Sequence, residues 1–99
     1  MSEESKVYQN DIGVKITLDT GDTDITGASV LKIKYKRPDG ETGEWTALAE
    51  GTDKIYYITE ANDLSKIGVW ELQAYVEIGT FKGHGEIAEF KVYQPIEVS

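Results

Sequence analysis

Val69-Trp70-Glu71-Leu72-Gln73-Ala74-Tyr75-Val76-Glu77-Ile78 is the stretch whose reading decides the fold. Trp70, Leu72, Ala74, Val76 and Ile78 alternate with Glu71, Gln73, Tyr75 and Glu77. A period of two with one apolar and one mostly polar row describes a long, half-buried β-strand. Outward from it, shorter stretches repeat the pattern. Val14, Ile16 and Leu18 alternate with Lys15, Thr17 and Asp19, and Leu31, Ile33 and Tyr35 alternate with Lys32, Lys34 and Lys36. Strands are also expected at Lys6–Gln9, Glu44–Glu50, Lys54–Thr59 and Glu86–Tyr93. Arg37-Pro38-Asp39-Gly40 suits a type I turn, because Pro38 presets φ at its second position. Glu60–Lys66 is expected to form a helical turn and Thr80–Gly85 to connect or bulge into the last strand.

About seven short strands with regular turn signals point to an all-β fold, an immunoglobulin-like β-sandwich of antiparallel strands. The 99 residues make a single domain over 1–99, with residues 1–5 a frayed tail. In immunoglobulin domains an aromatic sits near the start of the sixth strand, two residues before a core cysteine. Trp70 and Leu72 fit those two positions. The fold then places the Lys32/Lys34/Lys36 strand beside the Glu71/Glu77 strand, with their charged rows opposed.

The net charge is −8 and the isoelectric point about 4.5. Such a surface repels phosphate backbones and anionic membranes, so neither nucleic acid nor membrane is an expected partner. Met1–Ser5 is acidic and polar, without the basic and apolar regions of a signal peptide. With no cysteine, the fold owes nothing to disulfides.

Chemistry-bearing residues are few. His84, the only histidine, reads as an exposed turn residue, and its neighbours Gly83 and Gly85 suggest a β-bulge or a loop tip. Asp19, Asp22 and Asp24 are weak candidates for a calcium site, but their spacing fits no EF-hand loop, and Asx-turns account for them better. No serine sits in a nucleophile-elbow context, so neither catalysis nor a cofactor is expected. Tyr75 on the outer row, Phe81 in a loop, and His84 are the candidate contact residues.

Four segments carry a resemblance: Asp11-Ile12-Gly13, Asp24-Ile25-Thr26-Gly27-Ala28, Lys36-Arg37-Pro38-Asp39-Gly40 with Trp45 beyond it, and Gly68-Val69-Trp70-Glu71-Leu72-Gln73-Ala74. Together, over about residues 8–93, they resemble small immunoglobulin-like proteins encoded by tailed phages and prophages. Upper baseplate proteins of some phages are similar in their N-terminal domain and continue into longer segments. The resemblance implies a non-enzymatic virion structural protein, made in the bacterial cytoplasm. It would be a capsid decoration protein or a tail or baseplate part, with other virion subunits as partners and homo-oligomers allowed. The competing reading is a module binding carbohydrate or a host surface through an exposed platform of Trp45 with Tyr56 or Tyr57. If Trp45 packs in the core, that reading loses its best anchor.

Overall fold

A computed structural model describes residues 7–21 and 24–96. The tail expected at Met1–Ser5 and the candidate ligand Asp22 lie outside them. Eight strands follow in order: β1 (Val7–Tyr8), β2 (Lys15–Asp19), β3 (Val30–Lys36), β4 (Thr42–Thr46), β5 (Leu48–Glu50), β6 (Lys54–Ile58), β7 (Gly68–Ile78) and β8 (Phe81–Tyr93). They form a five-stranded sheet, ordered β1-β8-β7-β3-β4, and a three-stranded sheet, ordered β2-β6-β5. The fold is all-β and sandwich-like. Buried residues of both sheets, Ile16 and Ile55 from the smaller and Ile33, Trp70, Leu72 and Val76 from the larger, belong to one apolar cluster.

The deciding strand behaves as its sequence implies. Trp70, Leu72, Ala74 and Val76 are all buried in β7, while the residues between them are partly exposed. The lysine strand β3 pairs antiparallel with β7, placing Lys36 opposite Glu71 and Lys34 opposite Gln73. The ion pair that forms on this row, however, is directed to the other neighbour: Lys32 Nζ lies 2.7 Å from Glu44 Oε2 on β4. The β3–β4 hairpin closes as expected, with the Gly40 N–H donating to the Arg37 carbonyl at 2.9 Å.

Several expectations need correcting. The pairing is not wholly antiparallel, because β1 runs parallel to β8, with Val7 opposite Val92 and Tyr8 opposite Tyr93. The run Glu44–Glu50 is two strands, parted at Ala47. That residue is buried and its N–H donates to the Leu31 carbonyl. The chain thus leaves the larger sheet after Thr46 and enters the smaller at Leu48. Glu60–Lys66 forms hydrogen-bonded turns, with no helix assigned. Of the two readings of Thr80–Gly85, the bulge holds, at Gly85-Glu86, and the connector does not. A two-residue turn, Gly79-Thr80, joins Ile78 directly to its partner Phe81. Gly79 has φ +59° and Thr80 is not at positive φ, the pattern of a type II′ turn, whose first central position favours glycine.

A row of rings links the two sheets. Tyr57 of β6 stacks on Trp45 of β4 at 4.8 Å between centroids, and Trp45 meets Tyr35 at 4.6 Å. Tyr35 meets Trp70 at 5.6 Å, and Trp70 meets Phe90 at 5.9 Å. Aromatic pairs at these separations add about 0.5–1.5 kcal/mol each beyond their area burial.

At one end of the row, the Tyr57 hydroxyl donates to Asp63 Oδ2 at 2.6 Å, and the same oxygen accepts the Glu60 N–H at 2.7 Å. Burial first, and then this carboxylate, push the Tyr57 hydroxyl well above the usual phenol value. A raised folded-state pKa favours the protonated, folded form. Its contribution is therefore complete below the unfolded value of about 10 and is lost as pH rises beyond it. Tyr57→Phe is expected to cost about 1 kcal/mol at neutral pH. It should also make the fall in melting temperature above pH ~10 shallower than in the parent. Parallel slopes for the two proteins would exclude the role given to this hydroxyl.

Candidate interaction surface

The outer face of the larger sheet carries the densest set of side chains available for contact. From β3 it receives Lys32, Lys34 and Lys36. From β7 come Glu71, Gln73, Tyr75 and Glu77, and from β8 Lys82, His84, Ile87, Glu89 and Lys91. One irregularity arranges them. Between Gln73 opposite Ile87 and Tyr75 opposite His84, the pairing shifts. Gly85 and Glu86 together face the single residue Ala74, which defines a β-bulge. Gln73 Nε2 donates to the Gly85 carbonyl at 3.0 Å and holds the bulge from across the strand pair.

The bulge sets His84 against Tyr75, with ring centroids 4.9 Å apart and a tilt of 50°. Lys34 Nζ lies 4.4 Å from the centroid of the Tyr75 ring and 3.2 Å from His84 Nε2. Tyr75 donates its hydroxyl to Glu77 Oε2 at 2.5 Å. This bond, ahead of desolvation, raises the Tyr75 pKa. Beside the cluster runs an open groove of about 450 Å³, lined among others by Lys34, Lys36, Glu44, Glu71 and Ile87. Ile87 is 61% exposed.

Of the expected contact residues, Tyr75 and His84 touch each other, and His84 is a strand residue rather than a loop tip. Phe81 also belongs to β8 and not to a loop; it is 50% exposed at the hairpin end. Lys34 and Ile87 complete the surface but were not singled out from sequence. The alternating lysine row did mark the face on which Lys34 lies.

Two of the loop aspartates, Asp19 and Asp24, form turns. Asp19 Oδ1 accepts the Gly21 N–H and Asp24 Oδ1 the Thr26 N–H, each at 2.9 Å. The Thr26 bonds also hold the Asp24 carboxyl below its ordinary value. Among the described residues no group of three or more His, Cys, Asp or Glu is placed to hold a metal ion, and no helix is long and apolar enough to cross a membrane. Trp45 is only 6% exposed, enclosed by Tyr35, Tyr57 and Trp70. It therefore cannot anchor a surface platform with Tyr56 or Tyr57. Comparison with known protein families, with curated proteins and with solved structures gave no match for the chain.

Proposed function

We propose that this protein is a docking subunit of a tailed-phage particle, a capsid decoration protein or a tail or baseplate part, built on an immunoglobulin-like sandwich. The order β8-β7-β3-β4 corresponds to strands G-F-C-C′ of a variable-type immunoglobulin sheet, and β2-β6-β5 to strands B-E-D of the other. Trp70 Nε1 donates to the Lys66 carbonyl at 3.0 Å, a tryptophan counterpart of the tyrosine corner. These features support the immunoglobulin-like reading, and the sequence resemblance carries it to phage particles. The observation behind docking is the solvent-face cluster of half-buried Tyr75 and Lys34 with exposed His84, beside the Ile87 groove. Aromatic anchors rimmed by charge are how protein interfaces concentrate binding energy. The net charge of −8 favours encounter with a basic patch on a shell or tube subunit.

The test is quantitative mass spectrometry of purified particles from the strain encoding the chain. A copy number near that of the capsid subunit means decoration. A small count set by tail symmetry means a tail or baseplate part, and absence from particles overturns the reading. In the first two cases, Tyr75→Ala is expected to lower incorporation about tenfold, the loss of one modest hot spot, while leaving the isolated chain folded.

A further inference from the structure

Among the described residues β8 is an edge strand over most of its length. β1 covers only Val92 and Tyr93, and among the described residues nothing pairs with the outer side of Phe81–Lys91. Such a long edge is a template for another strand. No proline interrupts it, and Phe81, Ile87 and Ala88 are exposed along it.

We propose that this edge pairs antiparallel with the β8 edge of a second copy, about a two-fold axis at the Gly85-Glu86 bulge. The register sets Lys82 opposite Glu89, His84 opposite Ile87, Gly83 opposite Ala88 and Phe81 opposite Phe90, each pair occurring twice. Three features of the strand select it.

The first is facing. In an unbroken strand Lys82 and Glu89, seven residues apart, point to opposite faces. The bulge resets the alternation. Lys82 pairs with Glu77 and Glu89 with Glu71, both on the outer row of β7, so the two side chains share one face. By the same shift Phe81 and Phe90 share the inner face. Only registers that cross the bulge preserve this match.

The second is backbone direction. Ile78 and Phe81 flank the two-residue turn and bond to each other. Backbone groups alternate along a strand, so Lys82 and His84 turn their N–H and C=O groups away from β7. Beyond the bulge, the Tyr93 carbonyl accepts the Gln9 N–H and therefore points outward. Lys91, Glu89 and Ile87 follow at steps of two. Outward groups thus meet outward groups in both the Lys82–Glu89 and His84–Ile87 pairs.

The third is charge. Within the sheet Glu89 faces Glu71, a like-charge juxtaposition that is destabilising. Among the described residues neither Lys82 nor Glu89 has an ion-pair partner within 4 Å. The proposed register gives each one. A shift of two residues one way sets Lys82 against Lys91, and a shift the other way sets it against Ile87.

Sedimentation equilibrium of the full chain in about 0.15 M salt tests this directly. The expected result is a concentration-dependent dimer. Lys82→Glu and Glu89→Lys are each expected to weaken it about tenfold, since two symmetric pairs turn repulsive. The double variant, Lys82→Glu with Glu89→Lys, should return to within about threefold of the parent. Amide exchange at Lys82, His84, Ile87 and Glu89 should slow as concentration rises. A monomer up to about 1 mM overturns the proposal and leaves the edge to a different chain. A dimer indifferent to both single reversals, or protected elsewhere, overturns it too. The inference is independent of the particle reading: absence from particles leaves dimerisation untouched, and a monomer can still be a particle subunit.

Discussion

Trp70→Ala is expected to cost about 4 kcal/mol of unfolding free energy, the largest loss from any single truncation in this protein. Trp70 is fully buried and touches Tyr35, Trp45 and Phe90 in the aromatic row. The Arg37 guanidinium lies 5.7 Å from its ring centroid. Its indole N–H binds the Lys66 carbonyl at the entry to β7. Alanine leaves a cavity bounded by other rings, which cannot collapse into it without breaking their own contacts. A domain of this size has about 5–15 kcal/mol in total, so the variant should be close to unfolding at 37 °C. Trp70→Phe separates the two contributions. It keeps much of the packing but removes the donor, at an expected cost of about 2 kcal/mol. Urea unfolding measures both, with Trp45 as the remaining fluorophore. A loss below about 1.5 kcal/mol for Trp70→Ala would show that the row is not the mechanical centre of the core.

The importance of Trp70 was legible in the sequence because β7 is solvated on one face only. The alternation of Val69–Ile78 therefore transcribes burial directly. The β3–β7 pairing was legible for a similar reason, since charged rows advertise the outer face. β8 was not legible at its start. Its alternation is broken at Gly85-Glu86, so Phe81-Lys82-Gly83-His84 falls out of phase with Ile87–Tyr93, and the glycines there fit a connector as well as the bulge that forms. The contact between Tyr75 and His84 depends on that same bulge. Each residue could be named alone, but their meeting could not be derived. β1 lies within the strand expected at Lys6–Gln9, but its parallel partner is far away in sequence, so no local pattern reveals that pairing. Trp45, the anchor of the competing reading, is flanked by Glu44 and Thr46. Those neighbours occupy the solvent face of β4, while Trp45 occupies the core face.

Gly68→Ala is the second substitution with a large expected effect, about 3 kcal/mol, although it adds a single methyl group. Gly68 begins β7 at φ +132°, a conformation that L side chains rarely adopt and that costs about 1–3 kcal/mol to impose. A Cβ built there would also lie 2.9 Å from both Cβ and Cγ of Pro38, in the β3–β4 turn. Overpacking of that kind costs about 1–3 kcal/mol more, part of it relieved by movement of the turn. The two penalties can be separated. In a Pro38→Gly background the ring is gone, so Gly68→Ala should cost about 1–2 kcal/mol less than in the parent. The remainder measures backbone strain alone. Chemical denaturation of the four proteins in this cycle supplies both numbers. Full additivity would mean that the turn does not press on β7. A cost below about 1 kcal/mol would mean that Gly68 is not held at positive φ. Coupling between the sites has a structural consequence as well. The turn that carries Pro38 also carries Arg37, whose guanidinium covers Trp70 and pairs with Glu41 at 2.8 Å. Moving Pro38 away from Gly68 therefore shifts the lid of the aromatic row, and Gly68→Ala should weaken the core through Arg37 without touching a core residue.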